Sequence, residues 1–285
     1  MNPKQLKKLK KQVKKAHKVV KKQPYIEQLM AYRDLFEDFP QIKFLINNVL
    51  ESDRLIKNGL LPQPLPKLML PDNIQDIIFQ KVNEQYPQGN PEGDQLWDRY
   101  VAALPKLDQL LRDYRDYLEE TYGMWSYVNA PYIKALSEYL HGRPTLEIMA
   151  GNGYISGGLR NLRPAQTIYA TDSTDWTHEN ETGKHPVTTI EPLDALTAIK
   201  KYGSQVDYVI MSWSPDKVEI DWEVLQLLRN DYPEVKLLVI GEKNGATNSA
   251  KFWQNAQLTQ DAELQKVNEH LHSFDLIDEQ IYLAH

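Results

Sequence analysis

The segment TLEIMAGNGYISGGLR, residues 145 to 160, decides how this 285-residue chain is interpreted. It begins with an apolar run that predicts a β-strand over Thr145–Ala150, with Glu147 inside it. The strand leads into a Gly-Asn-Gly turn at residues 151 to 153, where glycine lets the backbone turn sharply and approach a ligand closely. A helix that starts after such a turn offers free backbone N–H groups to a negatively charged group. The segment therefore predicts a strand, a ligand-binding turn and a helix in succession.

Short apolar runs alternate with helical patterns on both sides of this segment. Asn129 and Pro131 predict a helix start before it. Residues 258 to 277 fit either a helix or a strand. Further strands are predicted at Thr167–Asp172, Val187–Ile190, Val206–Met211, Val235–Gly241 and Gln280–Ala284. Because strands that alternate with helices form parallel sheets covered on both faces, residues 125–285 are predicted to be an α/β domain with a doubly wound, mostly parallel sheet.

Residues 1–124 have a different character and predict an all-helical region. Ile42, Leu45, Ile46 and Val49 recur at helical spacing, and no strand pattern appears in this half. A further amphipathic pattern, which includes Leu107 and Leu118, predicts a helix that ends near Gly123. We therefore expect a helical region over residues 1–124 in front of the α/β domain.

The first 22 residues are strongly basic. They contain no acid, so the remaining 23 basic and 39 acidic residues leave a balance of −16 on the rest of the chain. Apolar residues at helical spacing predict a basic amphipathic helix, which either contacts a polyanion such as RNA, the ribosome or anionic lipid, or lies as a solvated helix on the body. An acidic body is not typical of a protein that grips nucleic acid with its whole surface. The ten lysines of this segment are Lys4, Lys7, Lys8, Lys10, Lys11, Lys14, Lys15, Lys18, Lys21 and Lys22.

Composition excludes several classes of protein. The chain has no cysteine, so disulfides, thiolate nucleophiles and cysteine zinc sites are excluded. No apolar run approaches the ~20 residues that cross a bilayer, and no apolar signal core follows the first lysines, so we expect a cytoplasmic protein. The histidines have no carboxylate-histidine metal signature, and no metal is expected. Ser212 and Ser214 lack the glycine-flanked elbow of serine hydrolases.

Polar residues follow the other predicted strands at positions that suit a nucleotide. Asp172 ends the second strand, 19 residues after Gly153, where a carboxylate can accept hydrogen bonds from both ribose hydroxyls. Asp194 and Ala195 follow the third strand, and the segment from Ser212 to Asp216 follows the fourth. Open parallel sheets bind ligands beyond the carboxyl ends of their strands, and all of these segments are predicted to end there.

Glu147, Ala150, Gly151, Asn152 and Gly153 resemble the first motif of class I S-adenosylmethionine (SAM)-dependent methyltransferases. One departure is Met149, where the commonest form of the motif has another glycine. The resemblance implies that Glu147 organises the glycine loop and the methionine moiety of SAM. It further implies that Asp194 and Ala195 lie beside the adenine. Ser212 and Trp213 would face the methyl group, and on the substrate side we expect Ser214, Pro215, Asp216, Glu242 and Asn244.

The resemblance implies a SAM-dependent methyltransferase that acts on a small molecule or a protein. Three alternatives stay open: an RNA methyltransferase anchored by the lysine-rich segment, a non-catalytic SAM-binding protein, and an NAD-binding oxidoreductase. The last would carry glycine or alanine at position 156, which is Ser156 here. The loop after the fourth strand reads SWSP rather than the NPPY-like sequence of many amide and exocyclic-nitrogen methyltransferases. No catalytic residue is therefore assigned from the sequence.

Overall fold

The computed structural model of the chain describes residues 24–178, 180–271 and 273–285. The lysine-rich segment, with its predicted helix, lies outside these residues. None of the described helices is long and apolar enough to cross a membrane.

Five helices form the first part of the described chain, and residues 24–124 contain no strand, as the sequence predicts. In the helix Pro40–Lys57, the residues that recur at helical spacing, among them Ile42 and Val49, are buried. The pattern that includes Leu107 and Leu118 forms two helices rather than one, because the chain breaks at Asp113. The second of them ends at Gly123, whose φ of +58° suits a left-handed helix end. The helices are α1 (Tyr25–Leu35), α2 (Pro40–Lys57), α3 (Ile74–Gln85), α4 (Pro91–Arg112) and α5 (Tyr114–Tyr122).

The second part is a seven-stranded sheet flanked by helices. The elements are α6 (Ala130–Leu140), β1 (Thr145–Ile148), α7 (Tyr154–Leu162), β2 (Ile168–Asp172), β3 (Glu191–Pro192), α8 (Ala195–Tyr202), β4 (Tyr208–Ser212), α9 (Ile220–Asp231), β5 (Lys236–Glu242), α10 (Ala250–Asn255), β6 (Leu258–Thr259), α11 (Ala262–Asn268) and β7 (Glu279–Ala284). The strands lie in the order β3-β2-β1-β4-β5-β7-β6, and β7 runs antiparallel to both of its neighbours. The predicted doubly wound, mostly parallel sheet is therefore confirmed.

Successive residues of the central strands pack on opposite faces of the sheet. In β4, Tyr208 and Ile210 contribute to a core shared with α6, α7 and α11. Val209 and Met211 contribute to a second core, shared with α8, α9 and α10. A strand buried on both faces must be apolar throughout, which is why these segments are continuous apolar runs in the sequence.

The helices α1 to α5 share a third core, and the C-terminal part of the chain reaches into it. Phe274, which follows α11, is fully buried there among residues of the helical region. The backbone of Phe274 accepts a hydrogen bond from Leu68 N–H at 2.8 Å. The helical region and the sheet are thus joined by buried contacts between residues that are distant in sequence. The division after residue 124 stays a prediction.

The predicted third strand, Val187–Ile190, is wrong, because the strand is formed by Glu191–Pro192 and pairs with Thr171 and Asp172. The segment before it is held by side-chain and backbone contacts. Val187 N–H donates to the Asn152 carbonyl oxygen at 2.8 Å, and the Arg160 guanidinium donates to residues 188 and 189. The β-branched residues of this segment therefore line the glycine turn instead of joining the sheet. Residues 258–277, which the sequence left open, contain both β6 and α11.

Candidate functional site

The turn after β1 is a succession of left-handed residues. Met149, Gly151 and Gly153 have φ of +54°, +55° and +77°. Because the left-handed conformation begins at Met149, β1 ends at Ile148, two residues earlier than predicted. A Cβ at Gly153 would lie 2.9 Å from side-chain carbons of Thr188 and Ile190, so this position has no room for a side chain. Met149 occupies a backbone conformation that glycine adopts more easily, which accounts physically for the glycine of the commoner motif.

The Glu147 side chain supports the glycine turn that follows β1. Its side chain is buried, and Oε2 accepts a hydrogen bond from Ser156 N–H, in the first turn of α7, at 2.9 Å. Burial raises the pKa of Glu147 to about 7, and the hydrogen bonds from Ser156 and the charge of Arg160 act in the opposite direction. The carboxylate therefore connects β1 to α7. Its burial makes the charged form unfavourable unless a cation lies beside it.

We expect the stability of the apoprotein to fall as Glu147 ionises. Between about pH 4.5 and pH 7 the folded protein keeps a proton that the unfolded chain has released, so the free energy of unfolding decreases with rising pH. Glutamine at position 147 can still accept the Ser156 hydrogen bond but does not ionise. Glu147→Gln should match the wild type at pH 4.5 and exceed it by up to about 3 kcal/mol at pH 8.

Urea unfolding of both proteins at several pH values measures this difference. Burial also raises the pKa of Glu119 to about 7, but Glu119 is present in both proteins, so the difference between them reports Glu147. A difference that stayed constant from pH 4.5 to pH 8 would contradict the prediction.

Asp172 connects the end of β2 to the same turn. Its Oδ2 accepts a hydrogen bond from Gly151 N–H at 2.8 Å, and its Oδ1 accepts one from Thr174 N–H at 2.9 Å. Burial raises the pKa of Asp172, and these two backbone bonds oppose that effect. The carboxylate is consequently fixed in orientation at the carboxyl edge of the sheet.

Asp194 begins α8 as its N-cap. Its carboxylate accepts hydrogen bonds from Thr197 N–H at 2.9 Å and from the Thr197 hydroxyl at 2.7 Å. These bonds lower the pKa of Asp194, which is exposed, and keep it charged. Ala195, the first residue of the helix, is buried beside it.

Asn152 has a structural role that the sequence did not reveal. Its side-chain amide donates to the carbonyl oxygens of Tyr122 at 2.7 Å and Glu181 at 3.2 Å, and its Oδ1 accepts from Gly183 N–H at 2.8 Å. These backbone partners occupy the amide. Asn152 thus ties the glycine turn to the end of α5 and to the loop at residues 181–183.

The chain leaves β4 in a strained turn at Trp213, whose φ is +53°. Its backbone N–H donates to the Ile240 carbonyl oxygen at 2.9 Å, and its indole Nε1 donates to Glu279 Oε1 at 2.8 Å. Burial raises the pKa of Glu279, which also accepts a hydrogen bond from the Ser126 hydroxyl. The arrangement fixes the indole ring against β7.

A cavity of about 610 Å³ lies at the carboxyl ends of β1, β2 and β4. Glu147, Asp172 and Asp194 all line it, so the structure brings together the three carboxylates that the sequence singled out. The other predicted residues in its wall are Ala150, Gly151, Asn152, Ala195, Ser212, Trp213, Ser214, Pro215 and Asp216.

Three predicted site residues do not line this cavity: Gly153 on the cofactor side, and Glu242 and Asn244 on the substrate side. Glu242 folds back on its own turn, where its carboxylate accepts hydrogen bonds from Ala246 N–H at 2.7 Å and Asp278 N–H at 3.1 Å. Asn244 lies within that turn in a left-handed conformation, with φ of +58°. Ala246 is the residue of this turn that reaches the cavity wall, and a substrate-side role for Glu242 and Asn244 stays a prediction.

The sequence missed the wall that the end of the helical region provides. Residues 123–126 and Val128 line the cavity between α5 and α6, and Trp125 donates its indole N–H to Thr182 Oγ1 at 2.9 Å. Asp175, Asn180 and Thr182 complete the rim after β2. No motif marks these residues, although a tryptophan two residues after a helix-ending glycine was a possible signal.

The strand order identifies the architecture. Six parallel strands, with the antiparallel β7 inserted between β5 and β6 and helices on both faces, form this sheet. The fold is that of the class I methyltransferases.

Comparisons with known proteins add a likeness to structures of methyltransferases and of another protein solved with S-adenosylmethionine. No family model matches the chain, and no curated protein matches it. MtNAS in complex with S-adenosylmethionine is 11% identical, with a TM-score of 0.35, and the match covers 75% of this chain and 88% of that chain. The mitomycin 7-O-methyltransferase MmcR is 13% identical, with a TM-score of 0.34, and the match covers 76% of this chain and 74% of that chain.

Human N-acetylserotonin methyltransferase in complex with SAM is 12% identical, with a TM-score of 0.35, and the match covers 74% of this chain and 64% of that chain. At such low identity and TM-score these similarities carry no argument about the site or the substrate. The fold assignment rests on the strand order.

Proposed function

We propose that the chain binds SAM in this cavity and transfers its methyl group to an acceptor. The observation that carries the proposal is the set of three carboxylates, Glu147, Asp172 and Asp194, in the wall of one cavity beside a left-handed glycine turn. SAM carries a sulfonium and an ammonium group, two ribose hydroxyls and an adenine amine, all of which suit carboxylate partners.

Each carboxylate has a separate part in this proposal. Glu147 would organise the turn at the methionine end, where a nearby cation would favour its charged form despite its burial. Asp172 would accept hydrogen bonds from the ribose hydroxyls, because hydrogen bonds from two backbone N–H groups already fix the orientation of its carboxylate. Asp194 would lie at the adenine end, with its remaining lone pairs available to the exocyclic amine.

When bound, SAM would supply an activated methyl group with SAH as the leaving group, and an N–H or O–H acceptor that takes the methyl group would give up a proton. The protein's contribution is mainly alignment of the acceptor and exclusion of water. Trp213 is suited to alignment, since its backbone and its indole are both hydrogen-bonded. Asp216, in the same wall and partly exposed, is suited to pass the proton to water.

Calorimetry with SAM, its demethylated product S-adenosylhomocysteine (SAH) and NAD tests the cofactor. We expect micromolar binding of the first two and no binding of NAD. Binding of NAD without SAM would overturn the proposal. A methylation screen of cell extract, separated into small molecules, RNA and protein, then tests transfer. Binding without transfer to any fraction would favour a non-catalytic SAM-binding protein.

A further inference from the structure

The cavity wall is acidic. Besides the three carboxylates described above, Asp175 and Asp216 line it, and no lysine, arginine or histidine of the described residues does. Asp216 pairs with Lys217 at 2.9 Å, but the Lys217 side chain is 89% exposed, so solvent screens that pair. A molecule in this cavity therefore meets a negative potential, which favours cations and disfavours anions.

Two tryptophans give the acceptor side of the cavity an aromatic surface. The ring centroids of Trp125 and Trp213 are 6.2 Å apart, and the planes are tilted by 46°. Both rings are held in place, Trp125 through Thr182 and Trp213 through Glu279. Fixed indole rings attract planar molecules, and they attract cations through the negative face of the ring system.

The Ser214 hydroxyl indicates that this wall contacts a polar ligand. Ser214 lines the cavity and is buried, yet its hydroxyl has no hydrogen-bond partner among the described residues. Since buried polar groups are rarely left unpaired, the Ser214 hydroxyl is the atom of this wall that a polar ligand group would pair with.

We propose that the methyl acceptor is a planar aromatic compound that carries a positively charged amino group, bound against Trp125, Trp213, Ser214 and Asp216. This inference rests on the proposed function for the identity of the site. The rings provide a surface for the aromatic part, and the carboxylates attract the ammonium group. A phosphorylated or carboxylated acceptor would meet these acids, and the nearest base, Arg115 behind the Trp213 ring, is already paired with Asp275 and does not line the cavity.

Calorimetry with three compounds of similar shape tests the charge preference. Tryptamine is the cationic probe, 3-ethylindole the neutral one and indole-3-propionate the anionic one, each titrated into the full chain with and without saturating SAH. We expect tryptamine to bind at least about tenfold more tightly than indole-3-propionate, with a smaller difference at high salt. Equal or tighter binding of the anion, or no binding of any probe at millimolar concentration, would overturn the inference.

Three variants locate the effect. Asp216→Asn should weaken tryptamine about threefold to tenfold and leave 3-ethylindole unchanged, and Trp125→Leu should weaken both. Asp231→Asn, at the exposed end of α9 and outside the cavity wall, is the matched control and should change neither. If Asp216→Asn weakened both compounds equally, the assigned role of its charge would be wrong. The titrations of SAH itself report the proposed function separately, so failure of one proposal is distinguishable from failure of the other.

Discussion

Asp172→Asn is expected to lower the affinity of the protein for SAM and SAH by about a hundredfold. Hydrogen bonds to a charged group contribute about 1.5–3 kcal/mol each, and the asparagine amide cannot accept from both ribose hydroxyls as a carboxylate can. The substitution also places an amide NH₂ near Gly151 N–H or Thr174 N–H, both of which now donate to Asp172. One donor is then unpaired, and the glycine turn loses part of its support.

Calorimetry measures the affinity, and thermal unfolding shows whether the variant is folded. We expect a loss of stability of about 1–3 kcal/mol from the unpaired donor, which leaves the protein folded at room temperature. Asp207→Asn is the matched control, because Asp207 precedes β4 at the opposite edge of the sheet and is partly exposed. Unchanged affinity in Asp172→Asn, or an equal loss in Asp207→Asn, would show that the carboxyl edge at β2 does not bind the ribose.

Arg115→Met is expected to lower the free energy of unfolding by about 3–5 kcal/mol. The Arg115 side chain is 7% exposed, and its guanidinium donates to Asp275 at 2.5 Å and to the Trp125 carbonyl oxygen at 2.5 Å. It also lies 5.0 Å from the centre of the Trp213 ring. Methionine fills a volume similar to that of arginine, but it leaves the largely buried Asp275 carboxylate without a cationic partner.

The effect should depend on pH with a definite sign. Burial alone would raise the pKa of Asp275, but the hydrogen bonds and charge of Arg115 bring it below its ordinary value. A lowered pKa stabilises the folded protein above the unfolded pKa, and this contribution is lost as the pH falls through the folded pKa. The difference between wild type and Arg115→Met should therefore be largest near neutral pH and should shrink in acid.

Urea unfolding measures both quantities. Arg112→Met is the matched control, because Arg112 pairs with Asp108 on the exposed surface of α4, where such pairs contribute about 0.5 kcal/mol or less. A loss in Arg115→Met no greater than that in Arg112→Met would contradict the assigned role. Because Arg115 contacts both cavity tryptophans, the variant should also weaken binding of the aromatic probes.

Local relations in the sequence determined most of the sheet and the cofactor side of the candidate site. Continuous apolar runs placed β1, β2, β4, β5 and β7 within two residues at each end. The glycine turn was predicted because glycine lets the backbone turn sharply, and Asp172 because a strand end is a local feature. Asn129 was correctly predicted to begin α6, where its side chain accepts from Tyr132 N–H. Such signals depend on neighbours a few residues away, and the sequence displays them directly.

Tertiary structure alone decided the acceptor side of the cavity and the position of β3. Trp213 is held by Glu279, 66 residues away, and Arg115 by Asp275, 160 residues away. The sequence position of Glu242, at the end of β5, predicted a place on the rim of the cavity. In the structure its carboxylate instead accepts hydrogen bonds from backbone N–H groups, one of them that of Asp278. The segment at residues 187–190 had strand composition, yet its contacts with the glycine turn and Arg160 kept it out of the sheet. Contacts of this kind depend on which surfaces meet when the chain packs, and no short-range periodicity records that.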